Sequence, residues 1–246
     1  MTPGKIRQEI RKMRIRYIFF DADDTLWENE LFFRKAEEQF VSLLSDHAPE
    51  VEIRKSLAEA QEENIPVFGY GSKTYLIAMT DCAAGICPEK FNASVYREIN
   101  RIVRNLAGHE IKIIDGVRET LEQLYGKYRL AVATKGDLKE QTAKFRASGL
   151  GKYFHHIEVL ENKDEKNYAL MARKLDISPG EIIMAGNSVK SDIAPVISLG
   201  GYAVHVPHEI VWEHEKMDMP ESEKVFEVKN IRELPNIIER IQNLAQ

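Results

Sequence analysis

After residue 109 short apolar runs alternate with amphipathic stretches, a rhythm that few architectures accommodate. Residues 130–134 (LAVAT), 157–160 (IEVL), 182–185 (IIMA) and 202–206 (YAVHV) read as strands, as does an earlier run at 17–20 (YIFF). Helical periodicity fills the intervals at 117–125, 138–148, 168–175 and 193–199. A final amphipathic segment, 231–244, is expected to dock as a terminal helix. Strands that alternate with helices predict right-handed βαβ units, and therefore an α/β fold with a doubly wound, Rossmann-like parallel sheet.

The stretch from 28 to 109 breaks that rhythm. Leu31, Phe32, Phe33, Phe40, Val41 and Leu44 recur at helical spacing, and nothing in the stretch resembles a buried strand. It lengthens the first strand-to-helix connection by roughly eighty residues, far beyond an ordinary βα loop. We read it as an inserted all-helical cap over 28–109, with 1–27 and 110–246 forming the core. Its helices are expected at 30–46, 50–63, 73–86 and 88–107, with Pro66, Gly69 and Gly71 breaking the middle.

The net charge of −5 argues against general nucleic-acid affinity, and no apolar run is long enough to span a membrane. Cys82 and Cys87 read as reduced thiols of a cytoplasmic protein rather than a disulfide framework. The basic stretch 5–16 lacks the apolar region of a targeting peptide and reads as a solvated lead into the first strand.

The first strand runs straight into Asp21-Ala22-Asp23-Asp24-Thr25-Leu26-Trp27. Three carboxylates at the carboxyl end of a parallel strand lie where open α/β sheets bind ligands, and their mutual repulsion calls for a cation. Other strand ends complete a set suited to phosphoryl transfer. Asp21 is placed to attack phosphorus, and Asp23, two residues on, to move protons. The Thr134 hydroxyl, with the N–H groups of Lys135 and Gly136, is placed to hold phosphate. Asn187 and Asp192, in the GNSVKSD segment after the fourth strand, offer oxygen ligands for Mg²⁺.

DADDTLW, VATKGD, a lysine before an amphipathic helix, and GNSVKSD together resemble the four ordered motifs of the haloacid dehalogenase-like hydrolases. The resemblance spans nearly the whole chain, and the insertion is similar to that family's C1 type of helical cap. It implies a phosphatase that acts on a small phosphomonoester through an aspartyl-phosphate, with Mg²⁺ as cofactor. Asp21 would be nucleophile and metal ligand. Asp23 would be the general acid/base and lend its backbone carbonyl to the metal, and Thr134 would bind phosphate. A third-motif lysine would neutralise nucleophile and phosphate. Lys163 and Lys166 compete for that place, and the 24-residue interval from Lys163 to Asn187 suits an intervening loop, helix, turn and strand better. One departure stands out: the fourth motif usually opens with aspartate, and Asn187 removes that charge.

Other residues have plainer readings. Asp24 is expected to shape the turn. Gly69 to Lys73 reads as a helix connection with Ser72 as N-cap, or as a substrate-selecting loop using Tyr70 and Lys73. His155 and His156 are expected to face opposite ways along a strand and to be structural, and Trp212 and His214 to belong to a loop. A phosphomutase is the nearest alternative activity, and a non-catalytic phosphometabolite-binding protein the alternative from another class.

Overall fold

The computed structural model describes residues 15–210, 212, 215 and 217–244; the basic segment before Ile15, and His214, lie outside them. Strands β1 (Tyr17–Phe20), β2 (Arg129–Lys135), β3 (His156–Leu160), β4 (Ile182–Gly186), β5 (Tyr202–His205) and β6 (Val225–Glu227) form one six-stranded sheet in the order β3-β2-β1-β4-β5-β6. Every pairing is parallel, with Phe20 level with both Val132 and Ala185. The expected doubly wound sheet is therefore present. The sequence reading passed over β6, a three-residue strand whose residues are half-buried or exposed.

Strand alternation sends successive side chains to opposite faces, and both faces are covered. Ile18, Phe20, Leu130, Val132 and Ile183 pack with Val117 and Leu121 of α5 (Val117–Leu124) and with Ile238 and Ile241 of the terminal helix α9 (Leu234–Leu244). Tyr17, Phe19, Ala131, Ala133 and Met184 pack instead with Tyr168 and Met171 of α7 (Glu165–Lys174) and with Val196 of α8 (Ala194–Ser198).

The chain divides into two compact units. The first comprises 1–28, 111–135 and 141–246; the second comprises 29–110 with 136–140. In the second, α1 (Glu30–Leu44), α2 (Glu50–Phe68), α3 (Ser72–Ile86) and α4 (Ala93–Ala107) enclose their own core around Phe40, Leu44, Leu57, Met79 and Ile102. The division falls inside α6 (Leu138–Ser148), after Glu140. Both cysteines are free and buried.

Helix limits differ from expectation where local hydrogen bonding decides them. Helix α4 starts at Ala93 rather than 88, because the Asn92 side chain accepts from the Ser94 and Val95 N–H groups at 2.8 and 3.3 Å. Pro66 does not end α2, which runs on to Phe68; in a final turn the ring removes one donor, and the chain leaves the helix at Gly69 with φ +77°. Ser72 is the first residue of α3 rather than its N-cap, which is Gly71. The Ser72 hydroxyl and N–H both donate to the Glu140 carboxylate, a favourable anion position at a helix start.

Phe19 is fully buried between β2 and β4, whereas Val51 on α2 is 80% exposed. Phe19→Ala is expected to cost about 3–5 kcal/mol in chemical denaturation, and Val51→Ala to stay within about 0.5 kcal/mol of wild type.

Candidate active site

The order β3-β2-β1-β4 places β1 between the strands of the two half-windings, so the carboxyl ends of β2, β1 and β4 border a topological switch point. Asp21 follows β1, Thr134 is the penultimate residue of β2 and Asn187 follows β4; all belong to the first unit. The Asp21 N–H bonds to the Ala185 carbonyl at 2.9 Å, which carries the ladder one residue past β1 before the chain turns away. Asp24 makes that turn in the left-handed region, at φ 60°, and its N–H bonds to the Trp27 carbonyl at 2.7 Å.

Lys163, in the loop between β3 and α7, points its ammonium at Asp21 and, at 2.6 Å, at Asp192 Oδ1. All three side chains are buried, and Asp192 is wholly enclosed. Lys166 sits exposed on α7. Asp192 lies in a π-helical turn, Val189–Ile193, where Ser188 Oγ accepts from the Ser191 N–H and the Ser188 N–H donates to Asp192 Oδ2 at 3.0 Å. Gly186 is required beneath it, since a β-carbon there would meet Asp192 Oδ2 at 2.2 Å.

One ammonium faces two carboxylates, so this buried group keeps an excess negative charge. Burial would strip the proton from Lys163, but Asp192 and Asp21 outweigh it and hold the ammonium charged. Asp21 carries the imbalance: burial, reinforced by Asp192 and Asp23, overrides Lys163 and pushes its carboxyl up to about 7.

Asp23 has a different environment. Lys144 Nζ lies 2.8 and 2.9 Å from its two oxygens, Gln141 Nε2 donates to Oδ2 at 2.9 Å and Trp27 Nε1 to Oδ1 at 2.7 Å. Burial alone would raise this carboxyl, yet Lys144, with Gln141 and Trp27, lowers it below its ordinary value. Gln141 and Lys144 were not singled out in the sequence. They stand three residues apart on one face of α6, and only their burial in a mostly polar helix distinguishes them.

Asn187 completes the cluster. Its side-chain terminus lies 3.1 Å from Asp21 Oδ2 and 3.2 Å from both the Asp23 carbonyl and Thr25 Oγ1. With the amide oxygen inward, it meets a carboxylate oxygen and a carbonyl oxygen with no hydrogen between them, a set that a hard cation reconciles. Thr25 Oγ1 accepts from the Asn187 backbone N–H at 3.1 Å, which ties this loop to β1.

Thr134 is buried at the same end of the sheet. The Lys135 side chain bonds Ser191 Oγ at 3.1 Å and pairs with Glu215, which also accepts from Ser188 and Ser191. Trp212 covers this pair, with the Lys135 ammonium 6.0 Å from its ring centre. None of Ser188, Ser191 and Glu215 stood out in the sequence, because their link is purely spatial.

Asp24, Glu28 and His208 bring possible ligand atoms within 4.8 Å of one another. The His208 Nε2 lies 3.3 Å from Glu28, while Nδ1 is 3.9 Å from Asp24 and bonds the Ile210 backbone. His155 and His156 turn to separate partners, the Leu130 N–H and Glu158, as expected for structural residues. In the second unit, the Lys73 ammonium pairs with Asp137 at 2.6 Å while Tyr70 is half-buried.

The haloacid dehalogenase-like hydrolase family matches residues 15–200. The chain is 24% identical over 211 residues to 5-amino-6-(5-phospho-D-ribitylamino)uracil phosphatase YigB of Escherichia coli K12, covering 80% of this chain and 85% of that one. It is 23% identical to human N-acylneuraminate-9-phosphatase, covering 93% and 95% respectively. A crystal structure of a haloacid dehalogenase-like hydrolase from Xanthomonas campestris superposes with a TM-score of 0.86 at 30% identity, covering 95% of this chain and 94% of its own. The HAD-hydrolase YfnB of Bacillus subtilis, crystallised bound to magnesium, gives a TM-score of 0.62 at 19% identity, covering 92% of this chain and 99% of its own.

Two outcomes follow from the buried charges. Lys163→Met leaves two carboxylates unpaired and is expected to cost about 3–5 kcal/mol in denaturant titrations, while Lys166→Met leaves stability unchanged. Asp21 titrates near 7 in the fold against 3.8 ordinarily, so its contribution is complete below 3.8 and is lost as pH rises through 7. In EDTA, the thermal midpoint of wild type relative to Asp21→Asn should therefore fall across that window.

Proposed function

Since the chain belongs to the haloacid dehalogenase-like hydrolases, we propose that it is a Mg²⁺-dependent phosphatase of a small phosphomonoester, working through an aspartyl-phosphate on Asp21. The observation that carries this reading is the convergence of buried Asp21, Lys163 and Asp192 with the half-buried Asn187 amide at the ends of β1 and β4. Phosphatase relatives aligned over most of the chain support it.

A carboxylate oxygen of Asp21 forms the bond to phosphorus as the ester P–O bond breaks. Its neighbour Lys163 offsets charge on Asp21 and on the phosphoryl oxygens, and so lowers the repulsion between the attacking carboxylate and the phosphoryl group. Phosphate oxygens are received by the Thr134 hydroxyl and the N–H groups that follow it. Once it has left its bonded donors and taken a proton from solvent, Asp23 passes that proton to the departing oxygen. It then takes one from the water that attacks phosphorus and releases Asp21.

Among the described residues, the hydrogen bonds to the Asp23 carboxylate come from Trp27, Gln141 and Lys144, which fill both of its oxygens. For proton transfer the carboxyl must turn away from this group, so the arrangement corresponds to a resting state. The oxygens that suit Mg²⁺ are Asp21 Oδ2, the Asp23 carbonyl and Asn187 Oδ1, with Asp192 adding charge beside Lys163. When bound there, the ion supplies charge neutralisation to the phosphoryl group.

A panel of sugar phosphates, nucleotides, phosphorylated acids and flavin mononucleotide, assayed with Mg²⁺ and with Asp21→Asn as blank, tests the assignment. Wild type is expected to release phosphate from at least one class, with turnover at least about four orders of magnitude above the variant. Equal rates for the two, or undiminished hydrolysis in EDTA, would reject it.

A further inference from the structure

We infer that the Asn187 side chain is a reversible occupant of its own cation site: the amide nitrogen faces inward when the site is empty and the oxygen faces inward when a divalent cation binds. The inference rests on the reading of Asp21, the Asp23 carbonyl and Asn187 as a cation site.

Three contacts carry it. The inward atom of the Asn187 amide is 3.1 Å from Asp21 Oδ2 and 3.2 Å from the Asp23 carbonyl oxygen, both acceptors only. It is also 3.2 Å from Thr25 Oγ1, a hydroxyl that donates or accepts as required. With nitrogen inward, its two N–H groups donate to the carboxylate and the carbonyl, while Thr25 Oγ1 accepts from the Asn187 backbone N–H. With oxygen inward, Thr25 donates to it, but the other two oxygens repel it unless a cation sits among them. The two orientations have the same shape, so the exchange needs a half-turn of one amide and no movement of backbone.

Aspartate at this position has no such alternative, because it presents acceptors in either orientation. It would add a third carboxylate to a group in which Lys163 already faces both Asp21 and Asp192. An empty site of that kind is unfavourable, and relief of its repulsion drives cation binding. Asparagine removes that drive and gives the empty site a fully hydrogen-bonded form. Cation affinity is then low enough for occupancy to follow the free cation concentration, since ligand charge is one of the quantities that set the affinity of oxygen sites.

The test is a titration of the full chain with Mg²⁺ alone, followed by calorimetry and by the side-chain amide resonances in ¹⁵N spectra. The Asn187 pair is identified by sequential resonance assignment of the wild-type chain. In EDTA its protons are expected to exchange slowly with solvent, and with Mg²⁺ they shift and exchange faster. Asn187→Asp is expected to bind Mg²⁺ about tenfold or more tightly than wild type and to show a larger cation-induced rise in thermal midpoint. Mg²⁺ binding by wild type that leaves the amide pair unchanged would overturn the inference while leaving the cation site standing. So would equal affinity of wild type and a folded Asn187→Asp. Absence of Mg²⁺ binding in wild type would overturn both. The amide measurement uses wild-type protein, so it decides the matter even if the variant does not fold.

Discussion

The ammonium of Lys163, enclosed between Asp21 and Asp192, is the contact on which the site depends. It joins the end of β1, the loop after β3 and the π-helical turn after β4, three segments that share no local sequence. A buried ion group of this kind gives little net stability, because desolvation consumes most of its attraction, but removing one member is costly. That asymmetry turns the group into a positional constraint. Asp192 is fully enclosed and rests on Gly186, and the excess negative charge is left on Asp21.

The two aspartates of the first loop then part company. Asp21 lies in a charge-imbalanced pocket that raises its carboxyl to about 7, whereas Asp23 receives bonds from Lys144, Gln141 and Trp27 and stays ionised. Environments that push two titratable groups apart mark sites where acid and base duties are divided. In the reaction proposed above, Asp23 must leave its three partners to exchange a proton. Asn187 extends the same economy of charge, for its amide satisfies the oxygens that an additional carboxylate would repel.

The alternation of apolar runs and helical stretches was enough to read five strands, the helices between them and the terminal helix, because burial on both faces of a parallel sheet leaves a local signature. It failed at β6, which is short and only partly covered, and at helix limits set by a single side chain such as Asn92. The convergence of Asp21, Lys163, Asn187 and Asp192 was legible because strand ends are where such a sheet gathers its ligands. Gln141, Lys144, Ser188, Ser191 and Glu215 were not, since polar residues on a helix or in a loop look solvated until their partners are known.

By itself, the sequence determined the class of fold, the strand ends at which polar side chains gather and the presence of an amide where a carboxylate is customary, all of which are properties of near neighbours in the chain. Only the tertiary structure decided that Lys163, and not Lys166, meets Asp21, and that Asp23 is held by a helix 121 residues away. It also decided that the Asn187 amide faces three oxygens. Those outcomes rest on through-space pairing of buried charges and hydrogen-bond donors, and sequence distance says nothing about which groups desolvation will force together.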